Sequence, residues 1–553
     1  MYGSLFRSID SSTLVEHVRA ASKGDGEIAV IDVREQKAYA EGLILLSTNL
    51  PLQRLELSVA TALPRLHTPI VIVDRHGELA AQAVERLHAL GYQDLAVLDG
   101  GIERWQADGL PLYSGFNVRS KAFAEHVEHA FATPGITATE LFARQAGGDD
   151  ILVLDSRPFA EYHYSTVPGA LSVPGAELVR SVRDITPAPS TTLVVSCGGR
   201  TRSIIGAQSL ISAGVPNPVL TLRNGTGGLR LDGIELEYGA NRAHSPASEA
   251  ALDWAQSATE HLVNSPPLTT SAFSALLGDG QRSLYVFDLR EADAYAAGHH
   301  PLARHVSGGQ LLQAIDVHAP VWNARIVLID DGALVRARQT AYWLEQLGSF
   351  EVALMAQPEV PDATAQGPQQ VPVRPIKRAT VEHVSAAELA EALQHNAPST
   401  PVQVVDLALS PAYRQGHIAD SRWALRSELQ QLLAQGPGRI VLTCESGQFA
   451  DVAGQYLVAE QPALASRVQV LTGGNQAWRA AGFPLVASVA QAPADVAHFI
   501  DVWTPPQQTV GDLLGAVKAY LTWEVGLLEQ LARDPLQAIL IRGVRPPSPP
   551  AQT

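Results

Sequence analysis

The chain has 553 residues, 46% hydrophobic and 17% charged, with two cysteines and a formal net charge of −16. One hydrophobic core stops growing near roughly 250–300 residues, so several domains are expected. The 40 lysines and arginines form no basic stripe, which excludes nucleic acid and an anionic membrane surface as partners.

No apolar run reaches the ~18 residues of a spanning helix, and no basic n-region precedes an apolar stretch; the reading is an untargeted, cytoplasmic, globular protein. Two cysteines make no disulfide framework, and no Cys/His cluster offers ligand spacing, so no metal and no organic cofactor are expected.

Along the chain, one pattern recurs four times. It opens with IDVREQKAYAEG from Ile31, LDSRPFAEYHYSTVPGA from Leu154, FDLREADAYAAGHH from Phe287 and VDLALSPAYRQGHIADS from Val405. Each is an apolar strand ending in Asp32, Asp155, Asp288 or Asp406, with Tyr39, Tyr162, Tyr295 or Tyr413 seven positions on. A second strand follows, ending at Asp74, Cys197, Asp330 or Cys444. The first three of these lie 42 positions after their opening Asp, and the fourth 38. A helical stretch and a third apolar strand come next, and three segments then carry a glycine-rich turn, LDGGIERW, LRNGTGGLRLDG and LTGGNQAW.

Strand, helix, strand alternation predicts an α/β fold, with four tandem modules each built on a mainly parallel sheet flanked by helices. The expected units are 1–113, 114–243, 244–360 and 376–488, with a Pro/Gln-rich linker over 356–375. A final region, 489–553, holds one amphipathic helix, expected to pack on a module or a second subunit, and a Pro-rich disordered tail.

In such sheets ligands bind outside the carboxyl ends of the strands. Asp74, Cys197, Asp330 and Cys444 are therefore equivalent positions, and Cys197 has the most suggestive surroundings. Gly198 and Gly199 let the backbone curl, and a helix starting near Ser203 points its free N–H groups at the loop, a nest for an anion. Helix N-termini and nearby arginines lower a thiol from a pKa of about 8.5 to as little as ~3.5–7.5, which makes Arg200 and Arg202 fitting neighbours of a nucleophile. A buried, inert core thiol is the alternative, and two flanking arginines have no place in it.

The Asp-x-Arg strand end, the aromatic seven residues on, the Cys loop of six residues ending in Arg and the Gly-Gly exit turn resemble the rhodanese (thiosulfate sulfurtransferase) domain. The resemblance covers nearly all of residues 1–488. It implies a small α/β domain that moves sulfane sulfur from an anionic donor such as thiosulfate, through a cysteine persulfide, to cyanide or a thiol. Carried over, Cys197 accepts the sulfur. Gly198, Gly199, Arg200, Thr201, Arg202 and Ser203 cradle it, and Asp155 with Arg157 supports the loop.

A carboxylate at Asp74 or Asp330 cannot form a persulfide and repels the donor, so the first and third modules are expected to be inactive. Cys444, with Phe449 where Arg202 stands and Glu445 beside it, is left open as a secondary sulfur site or plain structure. A Cys197–Cys444 disulfide requires facing modules and an oxidising compartment.

Related phosphatases and arsenate reductases use a C-x5-R loop, one residue longer than Cys197 to Arg202. A non-catalytic string of binding modules is the other alternative. His299, His300 and His417 read as turn residues.

Overall fold

A computed structural model describes residues 6–348, 350–369, 371, 373–374, 378–395, 401–436, 438–488 and 493–545. Four sheets organise it. The second contains Gly135–Ile136, Val219–Leu222, Thr192–Ser196, Ile151–Asp155 and Leu171–Ser172, in that order and all parallel. The fourth repeats this with Glu382–Val384, Val468–Leu471, Arg439–Thr443, Val402–Asp406 and Arg422–Trp423. Fully buried apolar runs such as Thr192–Ser196 fit parallel strands covered on both faces.

Register brings the repeated positions together. Asp155 pairs with Ser196, Asp32 with Val73, Asp288 with Ile329 and Asp406 with Thr443. In every module the opening Asp thus sits beside the residue just before position 74, 197, 330 or 444. The four missing positions of the last module fall between its strands and leave its register intact.

The repeated tyrosine has one job throughout. Its hydroxyl donates to a carbonyl eight residues on, Tyr39 to Ser47, Tyr162 to Ala170, Tyr295 to Ala303 and Tyr413 to Ser421, at 2.8–3.0 Å. This pins the turn that carries the chain from the short helix back to the sheet. His299 and His417 stack on their tyrosines, with ring centroids 3.7 and 4.0 Å apart, and bond the tyrosine carbonyls.

The modules are less separate than the repeat suggests. Val321–Trp322, from the third, adds an antiparallel strand to the first sheet beside Ile28–Asp32. One core runs through both and takes in Phe123 of the helix Val118–Phe131 and Leu527 and Leu540 of the C-terminal segment. Part of the expected linker is built into the third module, where Val360 is buried in the core and Ala365 bridges His299. Its residues 370, 372 and 375, and the Pro-rich tail 546–553, lie outside the described residues.

The C-terminal helix Leu513–Ala532 packs as expected, but on a particular place: across the Cys197 loop and the turn beside it. Leu521 and Val517 lie against Gly227, and Tyr113 reaches Asp534 at 2.7 Å. No described helix is long and apolar enough to cross a membrane.

Candidate active site

Cys197 follows the buried strand Thr192–Ser196, and the helix Thr201–Ser212 begins four residues later with no side chain capping its first turn. Its amides are thereby left to the loop. The thiol is buried, 2% exposed, and lies 3.5 Å from the Ser203 hydroxyl, which itself donates to the Arg200 carbonyl at 2.8 Å.

The exit turn presses on this loop. Gly225 has φ of +49°, and a Cβ on it would stand 2.1 Å from the Cys197 carbonyl oxygen. Gly101 and Gly474 would strike the carbonyls of Asp74 and Cys444 in the same way, at 2.4 and 2.1 Å. Those three carbonyls also accept the next amide, from Thr226, Ile102 and Asn475. The glycine-rich turn is therefore a backbone clamp on the loop, which only a residue without Cβ can form.

Asp155 and Arg157 are joined by a buried pair of bonds, 2.9 Å from Nε and 2.6 Å from Nη2. Arg157 also donates to Ser165 O at 2.5 Å, and Thr166 donates to Asp155 at 2.7 Å. Asp32–Arg34 and Asp288–Arg290 repeat the arrangement. In the fourth module, which lacks the arginine, Asn475 donates to Asp406 at 2.8 Å instead.

The two loop arginines differ. Arg202 is held by Glu161 at 2.7 and 2.9 Å and by Gln310 of the third module at 2.9 Å. Burial opposes its charge, but Glu161, then Cys197 and Asp155, outweigh this and raise its pKa. Arg200 was expected to cradle sulfur; instead it turns onto the helix Val118–Phe131. There it bonds Glu125 at 2.6 and 2.8 Å and also Glu128. Two carboxylates on one helix face outcompete the loop for that guanidinium. A Cβ on Gly198 would meet nothing within 4 Å.

The equivalent positions are filled otherwise. Asp74 accepts the amides of Gly77, Leu79 and Ala80 at 2.5, 2.8 and 3.0 Å, so its carboxylate occupies the nest. Asp330 accepts those of Asp331 and Ala337 at 2.8 and 3.1 Å and faces Arg336 at 3.3 Å.

Burial pushes the Cys444 thiol up, opposed by the amides of Ala450, Phe449 and Gly447 and by Arg54. Arg54 comes from the first module, its guanidinium 4.4 Å above the Phe449 ring. No motif pointed to it. Both cysteines are free. Glu177, His244 and Glu291 offer ligand atoms within 4.8 Å of one another, but Glu177 is already paired with Arg180 and Arg336.

Comparison with known proteins agrees with this geometry. The rhodanese-like domain family matches residues 15–108, 137–230 and 385–481. A crystal structure of thiosulfate sulfurtransferase from Pseudomonas aeruginosa is similar over 98% of this chain and 100% of its own, at 36% identity and a TM-score of 0.87. A rhodanese-related protein from Thermoplasma volcanium aligns over 19% of this chain and 97% of its own, at 23% identity and a TM-score of 0.16. No curated protein matches the chain. With a relative of this identity covered over its whole length, the chain belongs to the rhodanese family and carries four rhodanese-like modules in tandem.

Proposed function

We propose that the protein transfers sulfane sulfur from thiosulfate or a similar small anion, through a persulfide on Cys197, to cyanide or a thiol, with 114–243 as the catalytic module. Cys197 thiolate attacks the outer sulfur of the donor, the S–S bond breaks, and sulfite leaves with the bonding pair. The acceptor then attacks the outer sulfur of the persulfide and Cys197 departs as thiolate, a ping-pong cycle. Arg202 supplies the nearby positive charge, and the uncapped amides of the helix Thr201–Ser212 supply donors that need no reorganisation.

The observation that carries this reading is the contrast among four equivalent strand ends. Asp74 and Asp330 fill their own nests, Cys444 is pushed toward the neutral thiol by burial, and Cys197 alone combines sulfur with a facing arginine of its own loop. Intact mass and peptide mapping after incubation with thiosulfate tests it. One added sulfur on the Cys197 peptide, absent from Cys197→Ser, is expected; a folded, reduced protein that takes up no sulfur overturns it.

A further inference from the structure

The carboxylates around the Cys197 loop are nearly all spoken for. Glu125 and Glu128 hold Arg200, Glu161 holds Arg202, and Asp155 holds Arg157. Glu524, delivered by the C-terminal helix Leu513–Ala532, is the exception. It is 1% exposed. Its Oε1 accepts from Thr201 Oγ1 at 3.1 Å, and its Oε2 has no hydrogen-bond partner among the described residues. That free oxygen lies against Gly199, 3.1 Å from where a Cβ would stand. An orphaned carboxyl oxygen in a buried site costs on the order of 1–3 kcal/mol, so its retention calls for a use.

We propose that Glu524 is the proton-transfer residue of the sulfur cycle, acidic while the donor unloads and basic while an acceptor thiol reloads. The proposal rests on the Cys197 persulfide cycle given above. In the first half, Cys197 thiolate takes the outer sulfur of thiosulfate and the S–S bond breaks. The departing sulfite takes the Glu524 proton and leaves as hydrogen sulfite. In the second half, the Glu524 carboxylate removes the proton of R–SH as its sulfur attacks the outer persulfide sulfur. Cys197 leaves as thiolate and the product is R–S–S⁻. Each turnover consumes one thiosulfate and one thiol, and Glu524 ends as it began.

The surroundings suit both forms. Burial raises the Glu524 pKa, while Lys121, Thr201, Arg200 and Arg202 oppose the rise. Lys121, of the helix Val118–Phe131, sits 5.2–5.4 Å from the ring centres of Trp503, Tyr520 and Trp523, and burial brings it down to about 8. Burial pushes the Tyr520 hydroxyl up, with Glu524, Cys197 and Glu125 adding to the rise and Arg202 opposing it. A buried carboxyl whose charged form is disfavoured by burial and favoured by neighbouring cations can both give and take a proton, as general acid–base catalysis requires.

The test uses the full chain loaded with thiosulfate and desalted, with discharge followed by mass. Cyanide attacks as the anion that HCN in solution supplies by rapid equilibrium, so its rate, referred to the anion present at each pH, serves as the reference. In Glu524→Gln the ratio of glutathione to cyanide discharge rates is expected to fall about a hundredfold from the wild-type ratio. Glu524→Asp is expected to restore part of it. Equal loss with both acceptors overturns the proposal and leaves Glu524 a packing residue.

If the glutamine variant does not fold, the wild-type ratio followed as the pH is lowered from neutral decides. A ratio that falls as Glu524 protonates supports the proposal, and a flat ratio overturns it. A wild type that never loads sulfur is seen separately, before any acceptor is added, and removes the underlying reading as well.

Discussion

Gly225→Ala isolates the clamp on the Cys197 loop. An ordinary Cβ contact begins at 3.4 Å, and the new methyl would meet Cys197 O at 2.1 Å, so the loop must retreat by more than 1 Å. The left-handed backbone at φ +49° adds a cost of roughly 1–2 kcal/mol for any residue with a Cβ. Gly233→Ala is the matched control, since its φ is +70° and nothing lies within 4 Å. Chemical denaturation should show the control losing about 1 kcal/mol and Gly225→Ala losing roughly 2–4 kcal/mol. A displacement of about 1 Å at a reacting group costs on the order of 100-fold, so sulfur loading should fall by that factor in Gly225→Ala and stay near wild type in the control. Equal stability losses, or wild-type loading in Gly225→Ala, would refute the clamp.

Arg157→Met leaves Asp155 buried without its partner and should cost about 3–5 kcal/mol in denaturant melts, with Tyr162→Phe smaller at about 1 kcal/mol. Asp74→Ala removes a carboxylate that caps three amides; it should cost about 1–2 kcal/mol while sulfur loading per folded molecule is unchanged. Lys121 has its pKa lowered by burial from 10.5 to about 8, so above pH 8 the unfolded chain holds the proton more tightly than the folded one. Stability should therefore rise with pH between about 8 and 10 by up to ~3 kcal/mol, and Lys121→Met should flatten that rise in thermal melts.

What the sequence discloses is what each module does to itself. The spacing from Asp155 to Tyr162 and Cys197 records a strand, a pinned turn and a loop, because hydrogen bonds within one module fix those separations. Even the shorter fourth segment keeps its pairing of Asp406 with Thr443. The glycine turn was visible as a motif, although its reason, a carbonyl 2.1 Å from a missing Cβ, needed coordinates.

Contacts between distant segments obey no such spacing. Arg200 and Arg202 look alike in GGRTRS, yet one is drawn 75 positions back to Glu125 and the other is braced by Gln310. The strand Val321–Trp322 completes a sheet that begins with the first module, and Arg54 reaches a loop whose own sequence has lost its arginine.

The third module and the terminal helix are thus explained together. Here the third module braces Arg202, the helix Val118–Phe131 takes Arg200, and Glu524 and Tyr520 close over Gly199. Buried in this way, the charges at Cys197 act through a medium of lower dielectric than water, where each is worth several times more. The third module, with Asp330 where the second has its cysteine, still contributes by bracing Arg202 of the Cys197 loop. It follows that 114–243 alone should lose both stability and rate, because Arg202 would lose Gln310 and the loop would lose its roof. A stable fragment that turns over at the full-length rate would show that the walls are incidental.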